Sequence, residues 1–427
     1  MKLTPSHRLY ILGGVLLVSL ILCARSFAGQ GEAFPLLPLS IAGAAYLLAI
    51  REFFCTPRFP RHVIVTGLVL AAVWQIAFLA MPTGSDDDAR RYVWDGRLQR
   101  LGYNPYVVVP ADPAFAALHT EETRALNNPN LPSLYPPGAE LFFRAVTAIH
   151  ESTRAMRLAF TICGFLVVAV LLDVMRHTEQ EPHWVLAYAW NPLLATALAG
   201  SGHVDIVGAL LLAVSFAALT RRWRTVAAVT FALAVAVKFL PIVLLPLYWR
   251  RIRIRDAMAA AMALVLVYVP FLDHGRIPRG SLDTYILNFR FNGPVFALLQ
   301  RVVSAPLLAG VAAAIGVVVA IWFRSKVHTP CAESFAWPVA ASLLFAPVVY
   351  PWYLLWLLPF ARSIATLPLI LWTVSIIPTY VVWHLRAIGH PWLLPGWVMP
   401  LEYGVLAIAA AIIGLRRMVR RFRAADV

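Results

Sequence analysis

Asp86, Asp87 and Asp88 stand in a row just after an apolar run that ends at Met81. Carboxylates at such a boundary serve as proton acceptors for a substrate hydroxyl, or as caps for the helix that follows, whose first amides and positive dipole end favour acids. Ser85 and Asp88 have the spacing of a capping box. A cap employs one or two acids, and the third is surplus to it. The complementary residue type is a cation able to hold a phosphate, and Arg90, Arg91, Lys238, Arg276, Arg279 and Arg290 are available for that. Lys238 is one of few lysines and lies inside an apolar run, where charge is expensive; snorkelling or a structural pairing accounts for it equally well.

His203 and Asp205 form a second polar cluster, at the start of another apolar run, with a helix cap by Asp205 as the plain alternative to a substrate contact. Asn104-Pro105-Tyr106 and Tyr135-Pro136-Pro137-Gly138 are turn sequences whose tyrosine rings can pack on lipid or stack on a sugar. His384 and His390 sit among the Trp and Tyr residues of an interfacial belt. Cys23, Cys55, Cys163 and Cys331 have neither disulfide-framework nor zinc spacing.

The elements that position these residues are membrane spans. Of 427 residues, 60% are hydrophobic and 13% charged, a balance found in polytopic membrane proteins. The net charge of +15 resides in Arg runs between apolar segments, so it marks topology rather than nucleic-acid binding. Counting broken helices separately, the apolar runs give about 14 segments. The run from Thr225 to Trp249 has Arg clusters at both ends, which a single span cannot place on one side; two short helices turning near Lys238 and Pro241 can. Trp352 to Phe360 is similarly a short return, after a break that ends at Pro351. The positive segments at 51–62, 221–224, 250–255 and 416–423 are then cytoplasmic, as are both termini, and the polar loop is external. Within that loop Trp94, Leu98 and Leu101 have helical spacing, with Gly102 and Pro105 as a stop. Ala139 to His150 must lie at the outer interface, because making it a span would turn Arg221–Arg224 outward.

The series Asp86-Asp87-Asp88, Tyr92-Val93-Trp94-Asp95-Gly96-Arg97, Gly102-Tyr103-Asn104-Pro105-Tyr106 and Tyr135-Pro136-Pro137 resembles the first external loop of GT-C glycosyltransferases. It is most like polyprenyl-phosphate-mannose-dependent mannosyltransferases. Ala189-Trp190-Asn191-Pro192, Gly200-Ser201-Gly202-His203-Val204-Asp205 and Val237-Lys238-Phe239-Leu240-Pro241 resemble later motifs of the same family. The resemblance implies that Asp88 is the base and Asp86 its partner, and that a hexose, mannose by preference, passes with inversion from a polyprenyl phosphate to a glycan or glycolipid acceptor on the outer face.

The expectation is therefore an all-α, GT-C-like membrane protein forming one domain over 1–427, with N-terminal spans in 1–82, an external catalytic loop with interfacial helices in 83–154, and the remaining spans in 155–427. Asp88 and Asp86 are the expected catalytic residues; Lys238, Arg91, His203, Asp205, Tyr106, Tyr135 and Arg290 are the expected substrate contacts. A single-phosphate donor offers no pyrophosphate to chelate, so no metal or other cofactor is expected. The alternative is a secondary transporter or lipid flippase with a broken-helix site near Lys238.

Overall fold

The structure is a computed structural model that describes residues 3–29, 35–82 and 88–425. Asp86, Asp87 and Ser85 lie outside the described residues. All regular elements among the described residues are helices. Seven are long and apolar enough to cross a membrane, four more are apolar but shorter, and three irregular helical segments, at 185–200, 240–248 and 351–360, complete the series. This is the all-α, many-spanned class expected, with the breaks where the sequence placed them at Lys238 and Pro351. An apolar span satisfies its backbone internally, which is why the bilayer selects helices.

Helices α1 (Pro5–Gly29), α2 (Leu36–Cys55) and α3 (Arg61–Ala80) pack together, with Leu16, Leu20, Ala42, Tyr46, Ala49 and Trp74 buried between them and their neighbours. The opposite extreme is Ile254–Phe271, whose most apolar window is only 11% buried, as a lipid-facing helix should be.

Two short helices follow α3. Helix α4 (Asp88–Arg100) is polar by composition yet sunk into the protein, with Ala89, Tyr92, Trp94 and Leu98 buried alongside Arg91, Asp95 and Gln99. It stops where expected: Gly102 takes a left-handed φ of 85°. Helix α5 (Pro137–Ile149) has 13 residues, so it reaches only about 20 Å against a hydrocarbon core of about 30 Å. Its Ala139, Glu140, Phe143 and Val146 are buried while Arg144 and Ile149 are exposed, the pattern of an interfacial helix. Arg97 and Arg100 of α4 both pair with Glu151, at 2.5 and 2.8 Å, fastening α4 to the start of α6 (Thr153–His177).

The apolar run 184–200 is long enough for one span, and the structure divides it. Asn191 caps a new turn by accepting from the Leu193 amide at 3.0 Å, and a π-helical stretch then occupies Ala195–Gly200. Pro192 offers no amide to the preceding turn, which makes the break local.

Candidate active site

Asp88 is the first residue of α4, at the positive end of its dipole. Among the described residues, three groups surround its carboxylate. Asn127 Nδ2 donates to Oδ1 at 2.5 Å, Tyr92 Oη donates to Oδ2 at 3.4 Å from one turn along α4, and His203 Nδ1 lies 3.4 Å from Oδ2. Burial alone pushes this carboxyl up, but the imidazole, the Asn127 amide and the Lys238 ammonium together outweigh it and hold the group below its ordinary value. The side chain remains 16% exposed, and that exposure faces a cavity of about 670 Å³, within the roughly 300–1,000 Å³ typical of small-molecule sites.

Lys238 closes another part of the wall. The helix Arg224–Val237 ends there in an extended conformation, and Nζ donates to Asp205 Oδ1 at 2.7 Å while lying 3.6 Å from the Tyr353 ring centroid. Asp205 opens the helix Asp205–Thr220 but makes no cap; its Oδ1 accepts from Lys238 and, at 2.7 Å, from Trp356 Nε1. Trp356 reaches that oxygen because Gly208 gives it room: a Cβ there would stand 2.0 Å from the indole ring. The sequence reading of Asp205 as a cap is thus replaced by an ion pair across the helix break.

The remaining expected residues separate. Arg91, Tyr135 and Arg290 line the same cavity as Asp88, Asp205 and Lys238. Arg91 is paired: Nε bonds both Asp95 oxygens at 3.0 Å and Nη1 donates to the Leu131 carbonyl at 2.8 Å. Arg290 turns its guanidinium onto the carbonyls of Ile286, Leu287 and Phe289. Tyr106 stands outside the lining and donates its hydroxyl to the Tyr135 carbonyl at 2.6 Å, bracing that residue from behind. His203 likewise stands behind Asp88 rather than on the cavity surface.

Other participants had no local signature. Asn127 lies in Asn127-Asn128-Pro129-Asn130, which reads only as a turn. Tyr285 and Tyr353 join hydroxyls across the cavity wall, and Arg386 lies 5.4 Å from the Trp392 ring centroid, with both residues in the lining. Behind Arg91, Asp95 and Glu140 are fully buried. Burial pushes both carboxyls up, Glu140 further because the Asp95 carboxylate adjoins it, and Arg91 partly offsets the rise at Asp95. Glu140 accepts from Ser133 Oγ on one oxygen and from Gln99 Nε2 on the other.

A sequence model of the family alpha-(1->6)-mannopyranosyltransferase, N-terminal domain, matches residues 26–252. The chain belongs to that family. It is a membrane glycosyltransferase, in agreement with the resemblance read from the external-loop motifs. No curated protein matches it in sequence. The crystal structure of ArnT from Cupriavidus metallidurans bound to undecaprenyl phosphate aligns over 84% of this chain and 72% of that one, at 16% identity and a TM-score of 0.44, a likeness too slight to argue from. The stretch matched by the mannopyranosyltransferase family supplies Asp88, Asn127, His203, Asp205 and Lys238. Tyr285, Arg290, Trp352, Tyr353 and Arg386 lie beyond it, so the cavity joins the family's shared part to a C-terminal part of this chain.

Proposed function

We propose that the protein transfers mannose from a polyprenyl-phosphate donor to a glycan or glycolipid acceptor at the extracytoplasmic face, in a GT-C type of active site. The observation that carries this reading is the convergence of an ionised carboxylate and several cations on one cavity: Asp88 on one wall, Lys238, Arg91, Arg290 and Arg386 around it. An external site has no supply of nucleotide sugars, and a lipid phosphate reached from the bilayer replaces them.

The reaction is a single displacement. The acceptor oxygen forms a bond to the anomeric carbon, its proton passes to the Asp88 carboxylate, and the bond from the anomeric carbon to the phosphate oxygen breaks. The electron pair leaves with the lipid phosphate, where nearby cations stabilise it. Asp86 assists by positioning the acceptor. A displacement that ends in an α-linkage starts from a β-linked phosphate, so the donor is the β-configured mannosyl phosphate. The step has no need of a metal ion.

Membranes containing the protein, given polyprenyl-phosphate mannose labelled in the sugar, test this. The expected result is label in a new saccharide product with an α-linkage, at a rate unaltered by EDTA. Passage of the intact lipid or of free sugar across the membrane without a new glycosidic bond would instead support the transporter alternative.

A further inference from the structure

The chain invests several unusual features in one imidazole. The His203 ring is fully buried and lies parallel to Trp352, with centroids 3.7 Å apart and planes 10° apart. The turn that carries it leaves a π-helical stretch, a local form common at functional sites, and its amide donates to the Ala197 carbonyl at 2.9 Å. Gly202, immediately before it, has φ 82°, and a Cβ there would stand 2.8 Å from Arg157 Cγ. Only glycine meets both conditions.

Arg157 explains why the turn sits where it does. This arginine of α6 is 1% exposed, and its guanidinium donates to the carbonyls of Met81 and Pro82 on one side and of Ala199 and Gly200 on the other. It staples the segment that leads into the aspartates to the segment that leads into His203. Asp88 and His203 come together through that staple, although 115 residues separate them.

We propose that His203 is a positioning residue for the base: its imidazole, clamped on Trp352 and held by the Arg157 staple, orients the Asp88 carboxylate. This rests on the reading of Asp88 as the base. His203 acts through Asp88 and touches no substrate, which separates it from the substrate contact expected from sequence. Asn127 secures the other carboxylate oxygen, so the pair leaves Asp88 one orientation toward the cavity. The titratable and charged groups around them are Tyr92 on α4, Arg157 on α6, Tyr135, Asp205, Lys238 and Tyr285. Asp86 and Asp87 lie outside the described residues. Of the neighbouring groups, Lys238 is already committed to Asp205, and Arg157 to backbone carbonyls.

The test is the pH profile of kcat/KM for mannosyl transfer by the full-length protein in liposomes. Replacing His203 with Gln should move the acid limb upward by about one pH unit, as expected when a partner of the ionised carboxylate is lost, with the donor KM within about twofold of wild type. A limb that stays in place overturns the proposal, and a limb that stays while the donor KM rises makes His203 a substrate contact. Wild type alone supplies a second reading that needs no variant: its acid limb should lie below the ordinary carboxylate range, and a wild-type limb above that range overturns the proposal. Asp88→Asn run alongside tells the two claims apart. If it abolishes transfer while His203→Gln changes nothing, only the positioning role falls; if it transfers normally, the assignment of the base falls first.

Discussion

Lys238 illustrates how a residue singled out for its charge can have two duties. Its ammonium is bonded to Asp205, which is 1% exposed, so removing the lysine leaves a buried carboxylate without its cation. Such a loss costs about 3 kcal/mol or more, and a fall in activity of Lys238→Met therefore says little by itself. The double variant Lys238→Met with Asp205→Asn removes both charges, and Trp356 Nε1 can still donate to the side-chain carbonyl oxygen of the introduced asparagine. We expect the double variant to recover the melting temperature of wild type while its KM for the lipid donor stays at least about tenfold higher, the cost of one lost charge-assisted contact. A donor KM that returns to the wild-type value would confine Lys238 to the ion pair and move phosphate binding to Arg386 and Arg290.

Elements make a different prediction, at the junction of α4 and α5. Burial and the Asp95 carboxylate push the Glu140 carboxyl up in the folded protein, whereas in the unfolded chain it ionises in the ordinary range. Because the carboxyl is raised on folding, this group's contribution to stability declines as pH rises above the ordinary glutamate value. Glu140→Gln, a neutral residue of the same shape, should be at least as stable as wild type at pH 7, with the gap widening as pH rises above the ordinary glutamate value in a thermal melt. Asp95→Asn should lose about 3 kcal/mol by stranding the buried Arg91 guanidinium; the opposite ranking of the two variants would contradict a raised Glu140 carboxyl.

The same junction shows what was legible in the sequence. Helix α4 could be read from Trp94 and Leu98 at helical spacing with Gly102 as its stop, since the period and the left-handed glycine are local signals. The break at Lys238 was legible because Arg clusters at both ends of one apolar run conflict with a single crossing. The π-helical turn before Gly200 was not legible, because nothing in Ala195–Gly200 distinguishes it from an ordinary apolar helix. Nor were Asn127 beside Asp88 or Trp356 beside Asp205, contacts made across 39 and 151 residues that only tertiary packing creates.

At the scale of the whole molecule the account depends on which side of the membrane the cavity faces. From the positive-inside bias we propose that the Arg-rich segments 221–224 and 250–255, which flank a broken helix, are cytoplasmic and that the loop between α4 and α5 is external. Cys55 is the exposed native cysteine. With Cys55 changed to Ser, a cysteine at the exposed position Glu121 should react with an impermeant thiol reagent in intact cells, and one at Arg253 only after the cells are opened. Labelling in the reverse order would place the cavity on the side where nucleotide sugars are available and remove the reason for a lipid donor.

The central claim is that Asp88 accepts the acceptor's proton, and Asp88→Asn measures it most directly because capping and catalysis part company there. Asparagine caps a helix about as well as aspartate, and an asparagine can keep a contact with Asn127, so the variant should fold and bind donor as wild type does. It cannot take up a proton. In a single-turnover assay with saturating labelled polyprenyl-phosphate mannose, the account predicts transfer slower by about two to four orders of magnitude, the usual worth of a positioned general base, with donor affinity unchanged. Transfer within a few-fold of wild type by a correctly folded Asp88→Asn protein would contradict it.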